Sequence, residues 1–543
     1  MFKKQFPISL PDYITGTMKS KFPSAILSAL LVVCCLSGVQ DNAAPVSRPT
    51  GPWGDQGDGT YKNPILMADY SDPDICRVGN DFYMVCSEFH FMGMPVLHST
   101  DLVNWRIGGR IYDRIKTDPK YDSFKRYAGG SWAPAIRYHD GLFYVYFCTP
   151  DEGLYMSTAK KAEGPWSPLF LVKSVARWED PCPFWDDDGQ AYLGHSLWGA
   201  GPIIIHKMSA DGKTLLDDGK TVYKGPVAEG TKFLKRNGYY YLLIPEGGVS
   251  SGNQVALRSK DIYGPYEKKV VLEKGSTSVR GPHQGGLVEL ENGESWFIHF
   301  VCQDAWGRIA YLEPVKWEAD WPLMGNLKNG RCEPVLSFQK PKVESPVRPS
   351  LPQASDDFNS PELGLQWAWN HNPVDDHWSL TERKGWFRIK SSESKDFWNA
   401  PNTLTQKMMG DSNHATVKLD FSQMADGQVA GLGHMSNVFC WIGVEKNNGE
   451  FKLKVNSNGK VQGEVPLKPA PQVWLKTTIS SKAEARFMYS MDGLTYQPLG
   501  DASRVTYANW KGSRPCLFSY HAGNAGGNAD FDDFNYVVFP AEQ

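Results

Sequence analysis

Apolar and polar residues alternate in short runs along this chain. The runs are cut by Gly-Asn, Asp-Gly and Asn-Gly pairs, and almost nothing repeats with a helical period. Residues 71–84, SDPDICRVGNDFYM, predict a β-hairpin: a strand through Ile75 and Val78, a tight turn at Gly79-Asn80-Asp81, then the aromatic strand Phe82-Tyr83-Met84. The unit returns at residues 131–147, 179–194, 229–244 and 281–300, with turns ending at Gly141, Gly189, Gly238 and Gly293. From Asp81 onward the turn ends are 60, 48, 49 and 55 residues apart. A repeat of about 50 residues holding several short strands predicts a propeller blade. Five units therefore predict a five-bladed β-propeller over residues 61–338. A sandwich with chance regularity fits less well, because the turns recur at one phase.

Residues 339–354, QKPKVESPVRPSLPQA, carry four prolines among mixed charges and read as a linker. From 355 to 543 short alternating strands resume, around Phe387, Val417, Leu453 and Phe487, with Asn/Gly turns between them. That pattern predicts a two-sheet sandwich, with residues 534–539 pairing back into it. The expected fold class is all-β: a five-bladed β-propeller followed by a C-terminal β-sandwich.

The N-terminus breaks the pattern. Lys19 and Lys21 precede an apolar run from Ala25 to Leu36, followed by Ser37-Gly38. This is a secretory signal over residues 1–39, with Met18 as the natural start, and it is too short to span a membrane. Export is expected, periplasmic first, with secretion or lipid anchoring at the cell surface as alternatives. Cys34 and Cys35 sit where a lipid would attach, but Val32-Val33 lacks the small residue such a signal uses. Residues 40–60 form a polar connector. Eight cysteines remain beyond the signal, without CxxC or His-paired spacing, and read as small buried residues. The net charge of −3 comes without a long basic run, which argues against nucleic acid as a partner.

In a propeller the first strand of every blade lines the channel, so residues at one phase of that strand meet. Nine residues before each turn end stand Asp72, Trp132, Asp180, Glu229 and Gln284, with His283 beside the last. Three carboxylates at one phase suit glycoside hydrolysis. One carboxyl donates a proton to the leaving oxygen, another activates water or attacks, and a third tunes the first. Trp132, with Trp178, Trp198 and Trp306, offers flat faces on which a sugar ring stacks. A non-catalytic carbohydrate-binding propeller is the alternative, and it would not need all three acids.

The segments NPILMADYSDPDICRVGNDFYMV, HSTDLVNW, SWAPAIRYHDGLFYVYF, EDPCPFWDDDGQAYL and AEGTKFLKRNGYYYLL, with His283-Gln284-Gly285, resemble glycoside hydrolase family 43. The resemblance implies an inverting five-bladed propeller with Asp72 as general base, Glu229 as general acid and Asp180 as the residue that raises and orients the acid. It makes Arg308, in WGRIA, a contact to substrate or to a catalytic carboxylate. It also places His283 near a structural calcium ion, through water, while the chemistry itself requires no cofactor. Blade one reads SDPD where many members have PDPS, which sets Asp74 beside the base as a second acid. Residues 356–389 resemble the concanavalin-like sandwich of exo-acting members, in which a sandwich loop helps close one end of the pocket. The expected activity is removal of terminal α-L-arabinofuranosyl units from hemicellulose such as arabinoxylan or arabinosylated xyloglucan, with β-xylosidase as the alternative.

Overall fold

The computed structural model describes residues 53–539 apart from 90–91, 344–349, 468–469 and 524–525. The signal, the first part of the connector, Cys34, Cys35 and the middle of the linker lie outside the described residues. Five four-stranded antiparallel sheets follow in chain order, each with its strands in sequence order. Their innermost strands are Asp74–Val78, Trp132–His139, Trp178–Trp185, Lys232–Arg236 and His283–Glu289. Each pairs with the aromatic strand predicted beside it, for example Cys76 with Tyr83 and Phe233 with Leu242. Thr60–Lys62 pairs with Ser337–Gln339, so the two ends of the propeller segment are joined. This is the five-bladed propeller that the hairpin spacing predicts.

The turns of blades two and four are built as the sequence suggests. Asp140-Gly141 and Asn237-Gly238 have positive φ at both positions, the geometry that matches strand twist. In blade one only Gly79 does; Asn80 is ordinary.

The sandwich comprises an eight-stranded and a seven-stranded sheet. Asn528–Phe539, which contains the predicted closing strand, lies inside the seven-stranded sheet between Phe387–Lys390 and Ser412–Asp420. Alternation explains this sheet: Ala415, Val417 and Leu419 are buried while the residues between them are not. One apolar core runs from blades one and five into the sandwich, joining Leu66, Val96 and Ile309 to Trp367, Leu432 and Phe531. Smaller cores fill the spaces between the other blades. The eight cysteines among the described residues are free thiols, and all but Cys302 are buried.

One backbone device recurs in all five blades. Near the start of each innermost strand a residue at a matching position takes left-handed φ: Asp72 (52°), Ala133 (39°), Asp180 (56°), Gly230 (65°) and Gln284 (38°). In blades two, three and five it coincides with a register shift in the innermost pair. Such a bulge re-aims the neighbouring side chains. Outside glycine it costs about 1–3 kcal/mol, so it persists only where the surroundings fix it. Four of the five kinks carry a residue other than glycine, and all five lie at one end of the channel.

Candidate active site

The kinks deliver two rings of side chains. The kink residues are Asp72, Ala133, Asp180, Gly230 and Gln284. The residues just before them are Ser71, Trp132, Glu179, Glu229 and His283. Asp72, Trp132, Ala133, Glu179, Asp180, Glu229, His283 and Gln284 line one pocket with Arg308. The nine-residue count thus spans two adjacent positions. Asp72 and Asp180 are kink residues, whereas Glu229 precedes its kink. The cause is turn length: blades two and four close with two-residue turns, whereas the innermost pairs of blades three and five close through longer loops at Trp185–Ala191 and Glu289–Ser295. In blade one the counted end, Asp81, already belongs to the returning strand.

Asp72 is buried and surrounded by donors. Arg308 Nη1 donates to its Oδ1 at 2.8 Å, and Ser87 Oγ (2.6 Å) and Ser71 Oγ (3.0 Å) donate to its Oδ2. Arg308 is held in turn by Asp69, whose Oδ1 accepts from the Arg308 backbone N–H at 3.0 Å. Asp74 does not share this environment. Its Oδ2 accepts from Ile136 N (2.9 Å) and Arg137 Nη1 (2.6 Å), and the residue lines a separate cavity with Lys232 and Phe233. The second acid of SDPD therefore stitches blade one to blade two.

Across the pocket three carboxylates crowd together. Oxygens of Glu179, Asp180 and Glu229 all lie within 4.8 Å of one another. Asp180 accepts from Gly230 N (2.8 Å), Ser196 Oγ (2.7 Å) and Gln284 Nε2 (3.0 Å). Burial, then the neighbouring Glu229 charge, push its carboxyl up to about 6 in spite of those donors. The Gly230 bond also fixes the backbone next to Glu229, so Asp180 both orients that residue and repels its charge. His283 Nε2 lies 3.0 Å from Glu229 Oε1. His283 is 1% exposed, and neither ring nitrogen makes a hydrogen bond of good geometry to the protein, a need that bound water would satisfy. Calcium takes oxygen ligands, so this imidazole fits a calcium ion only through an intervening water.

The aromatic wall differs from the expected one. Trp132 lines the pocket, packed by Phe89 (5.7 Å between ring centres) and by Trp510 (5.4 Å). Trp510 comes from the sandwich, on the segment that also sends Lys511 Nζ to the Ser87 carbonyl (3.0 Å) and Gly512 N to Asp69 Oδ2 (3.1 Å). Trp198 stands outside the lining, 48% exposed, with its ring edge-on to Trp132 at 5.9 Å. Trp178 stacks on His195 at 3.7 Å instead of facing the pocket. Trp306 corrects the sequence reading: it is 4% exposed and its indole N–H donates to the Gly410 carbonyl at 2.6 Å. It joins propeller to sandwich and offers no free face to a sugar. Sequence reasoning missed Glu179, Phe89 and Trp510. Only Glu179 left a local signal, as the acid directly before Asp180.

A profile of glycosyl hydrolases family 43 matches residues 61–322, and one of the β-xylosidase C-terminal concanavalin A-like domain matches residues 355–537. The chain is 52% identical, over 89% of its length, to a putative β-xylosidase of Xylanibacter ruminicola, of which it covers 92%. The chain belongs to glycosyl hydrolase family 43. Within that family it is also 33% identical to the non-reducing end α-L-arabinofuranosidase BoGH43B of Bacteroides ovatus, over 69% of this chain and 73% of that one. Among solved structures, the bifunctional GH43-CE protein of Bacteroides eggerthii superposes with a TM-score of 0.79 at 31% identity, covering 88% of this chain and 63% of that longer one. Family membership makes the protein a glycoside hydrolase with a carbohydrate substrate. No helix among the described residues is long and apolar enough to cross a membrane.

Proposed function

We propose that this pocket hydrolyses the terminal glycosidic bond of a pentose-decorated plant polysaccharide, with inversion at the anomeric carbon. The observation that carries the reading is the asymmetry of the acids. Asp72 is paired with a guanidinium and two hydroxyls, whereas Glu229 stands with Glu179 and Asp180, their oxygens within 4.8 Å of one another. Asp72 takes a proton from water as the water oxygen attacks the anomeric carbon. The bond to the leaving oxygen breaks, and Glu229 gives that oxygen its proton. Asp180 holds the backbone beside Glu229 by accepting from Gly230 N. After product leaves, solvent returns a proton to Glu229 and removes one from Asp72. Arg308 orients Asp72 and keeps positive charge beside it. A calcium ion, when bound through water at His283, would supply positive charge beside Glu229.

Trp510 closing one wall supports an exo action on a single terminal unit. Xylose is the first choice of sugar and arabinofuranose the second, because the 52% relative carries the name β-xylosidase and the 33% relative carries the arabinofuranosidase name. This turns round the order expected from sequence. Nitrophenyl β-D-xyloside is expected to turn over at least about tenfold faster than the α-L-arabinofuranoside, a difference of about 1.4 kcal/mol in transition-state binding. The reverse ratio restores arabinofuranose to first place. Export on the 1–39 signal stays part of this proposal, and cell fractionation tests it.

The mechanism is tested at the base. Asp72→Asn is expected to lower kcat by about 10²–10⁴-fold, and proton NMR of the first-formed sugar should show inverted configuration. A retained anomer rules out the inverting mechanism.

A further inference from the structure

Glu179 occupies in blade three the position that Glu229 holds in blade four, His283 in blade five and Trp132 in blade two, one residue before the kink. Side chains at all four positions line the pocket. Glu179 is 7% exposed, and its Oε1 accepts from Ala200 N at 3.3 Å. The acids facing it are Asp180, Glu229 and, further off, Asp72. The nearby arginines are engaged elsewhere, Arg308 with Asp72 and Arg177 over the Trp198 ring at 5.5 Å, and the His283 ring stands 3.0 Å from Glu229. His195 is stacked behind Trp178 and bonds His206. Among the described residues Glu179 has no ion-pair partner.

We propose that Glu179 is a fourth working carboxyl of this site, a neutral acid that donates a hydrogen bond to a hydroxyl of the bound sugar and thereby selects the sugar. This rests on the pocket being the glycosidase site proposed above. Oxygens of three carboxyl groups lie within 4.8 Å of one another and no described side chain pairs a cation with Glu179, an arrangement that favours a proton on Glu179. Burial, then the charges of Asp180 and Glu229, push its carboxyl up to about 9. A neutral acid offers one donor and an acceptor, the complement of a sugar hydroxyl. Xylopyranose and arabinofuranose differ in where their hydroxyls stand. A buried polar group built for one hydroxyl discriminates strongly against a sugar that leaves it unpaired.

The test compares wild type, Glu179→Gln and Glu179→Leu on nitrophenyl β-D-xyloside and its 2-, 3- and 4-deoxy analogues. Gln keeps a donor and the neutral state, so near neutral pH it is expected to retain much of the binding that Leu loses: Leu raises KM by about tenfold or more, Gln by clearly less, and in both the loss falls on KM rather than on kcat. One deoxy analogue should lose binding in wild type and lose nothing further in Glu179→Leu, the signature of a shared contact. Wild-type KM should climb as pH rises through about 9, where Glu179 ionises, while the Gln variant stays flat. Unchanged KM in Glu179→Leu, or a large kcat loss in Glu179→Gln, overturns the proposal. Stability supplies a second reading. A carboxyl raised in the folded state binds its proton more tightly there, so its presence costs stability increasingly as pH rises from about 4.5 towards about 9. The thermal midpoint of Glu179→Gln should exceed that of wild type by a margin that grows from pH about 5 to about 8. A constant margin overturns the neutral acid even if the Leu variant does not fold. If wild type turns over neither pentoside, the glycosidase reading has failed; the growing stability margin still tests whether Glu179 is neutral.

Discussion

Replacing Glu229 with Gln is expected to lower kcat/KM on an unactivated xylo-oligosaccharide by about 10³–10⁴-fold, with KM nearly unchanged. The amide keeps the shape of the side chain beside His283 but has no proton acidic enough to give to the departing sugar oxygen. An alkoxide is too poor a leaving group to depart without that proton. A nitrophenolate is not, so on nitrophenyl xyloside the loss should shrink to about tenfold or less. The contrast between the two substrates is the readout, since a distorted pocket would lose both alike. Equal losses would assign Glu229 a structural role, and unchanged turnover on the oligosaccharide would remove it from the mechanism. The same variant relieves Asp180. The Glu229 charge helps hold the Asp180 carboxyl near 6, so that carboxyl should ionise at lower pH once the charge is gone.

The propeller was legible because its signal is local and repeated. A hairpin needs its turn residues within a few positions of its strands, so five hairpins print five copies of one pattern. The acids were legible for the same reason, though the count from each turn mixed two positions, since the left-handed kink lies at a different distance from turns of different length. That mixing hid Glu179: the count stepped to Asp180 and passed the side chain that actually stands in register with Glu229. Trp510 left no local signal, although the resemblance implied that a loop of the sandwich helps close the pocket. It reaches the pocket from the sandwich, and only the docking of Lys511 and Gly512 on blade one and its entry segment brings it there. Trp306 shows the converse failure. A tryptophan in a carbohydrate-processing fold suggests a sugar platform, but burying its ring and bonding its N–H to Gly410 serve the domain junction instead. Composition cannot separate these uses, because both need a large flat ring with a polar edge.

The junction predicts the largest stability effect. Glu88 follows the blade-one strand Asp81–Val85 and is buried against three cations of the sandwich. Arg514 Nη2 donates to its Oε2 at 2.6 Å, Lys511 Nζ lies 3.5 Å away, and Lys407 pairs with its Oε1. Burial opposes the charge on Glu88, but Arg514, Lys407 and Lys511 outweigh it and hold the carboxyl well below the usual range. Glu88→Gln removes the buried carboxylate that these three cations share and is expected to cost about 3–5 kcal/mol in unfolding free energy. Lys407 limits the loss. Burial, then Lys511 and Arg514, already push its amine down to about 8 against the pull of Glu88, so without that carboxylate it sheds its proton at neutral pH. The sign with pH is fixed by the lowered carboxyl. Its contribution is complete above about 4.5 and is lost as pH falls further, so urea midpoints of wild type and variant should converge in acid. A gap that stays constant down to pH about 2 would show that the charge is not what Glu88 contributes. Function should follow by a specific route. Lys511 is the neighbour of Trp510, so loosening its anchor lets the pocket wall drift and raises KM more than kcat. Trp510→Ala should reproduce that KM increase, about tenfold, with the unfolding free energy nearly intact. If Glu88→Gln lowers stability but leaves KM untouched, the junction holds the domains together without shaping the pocket.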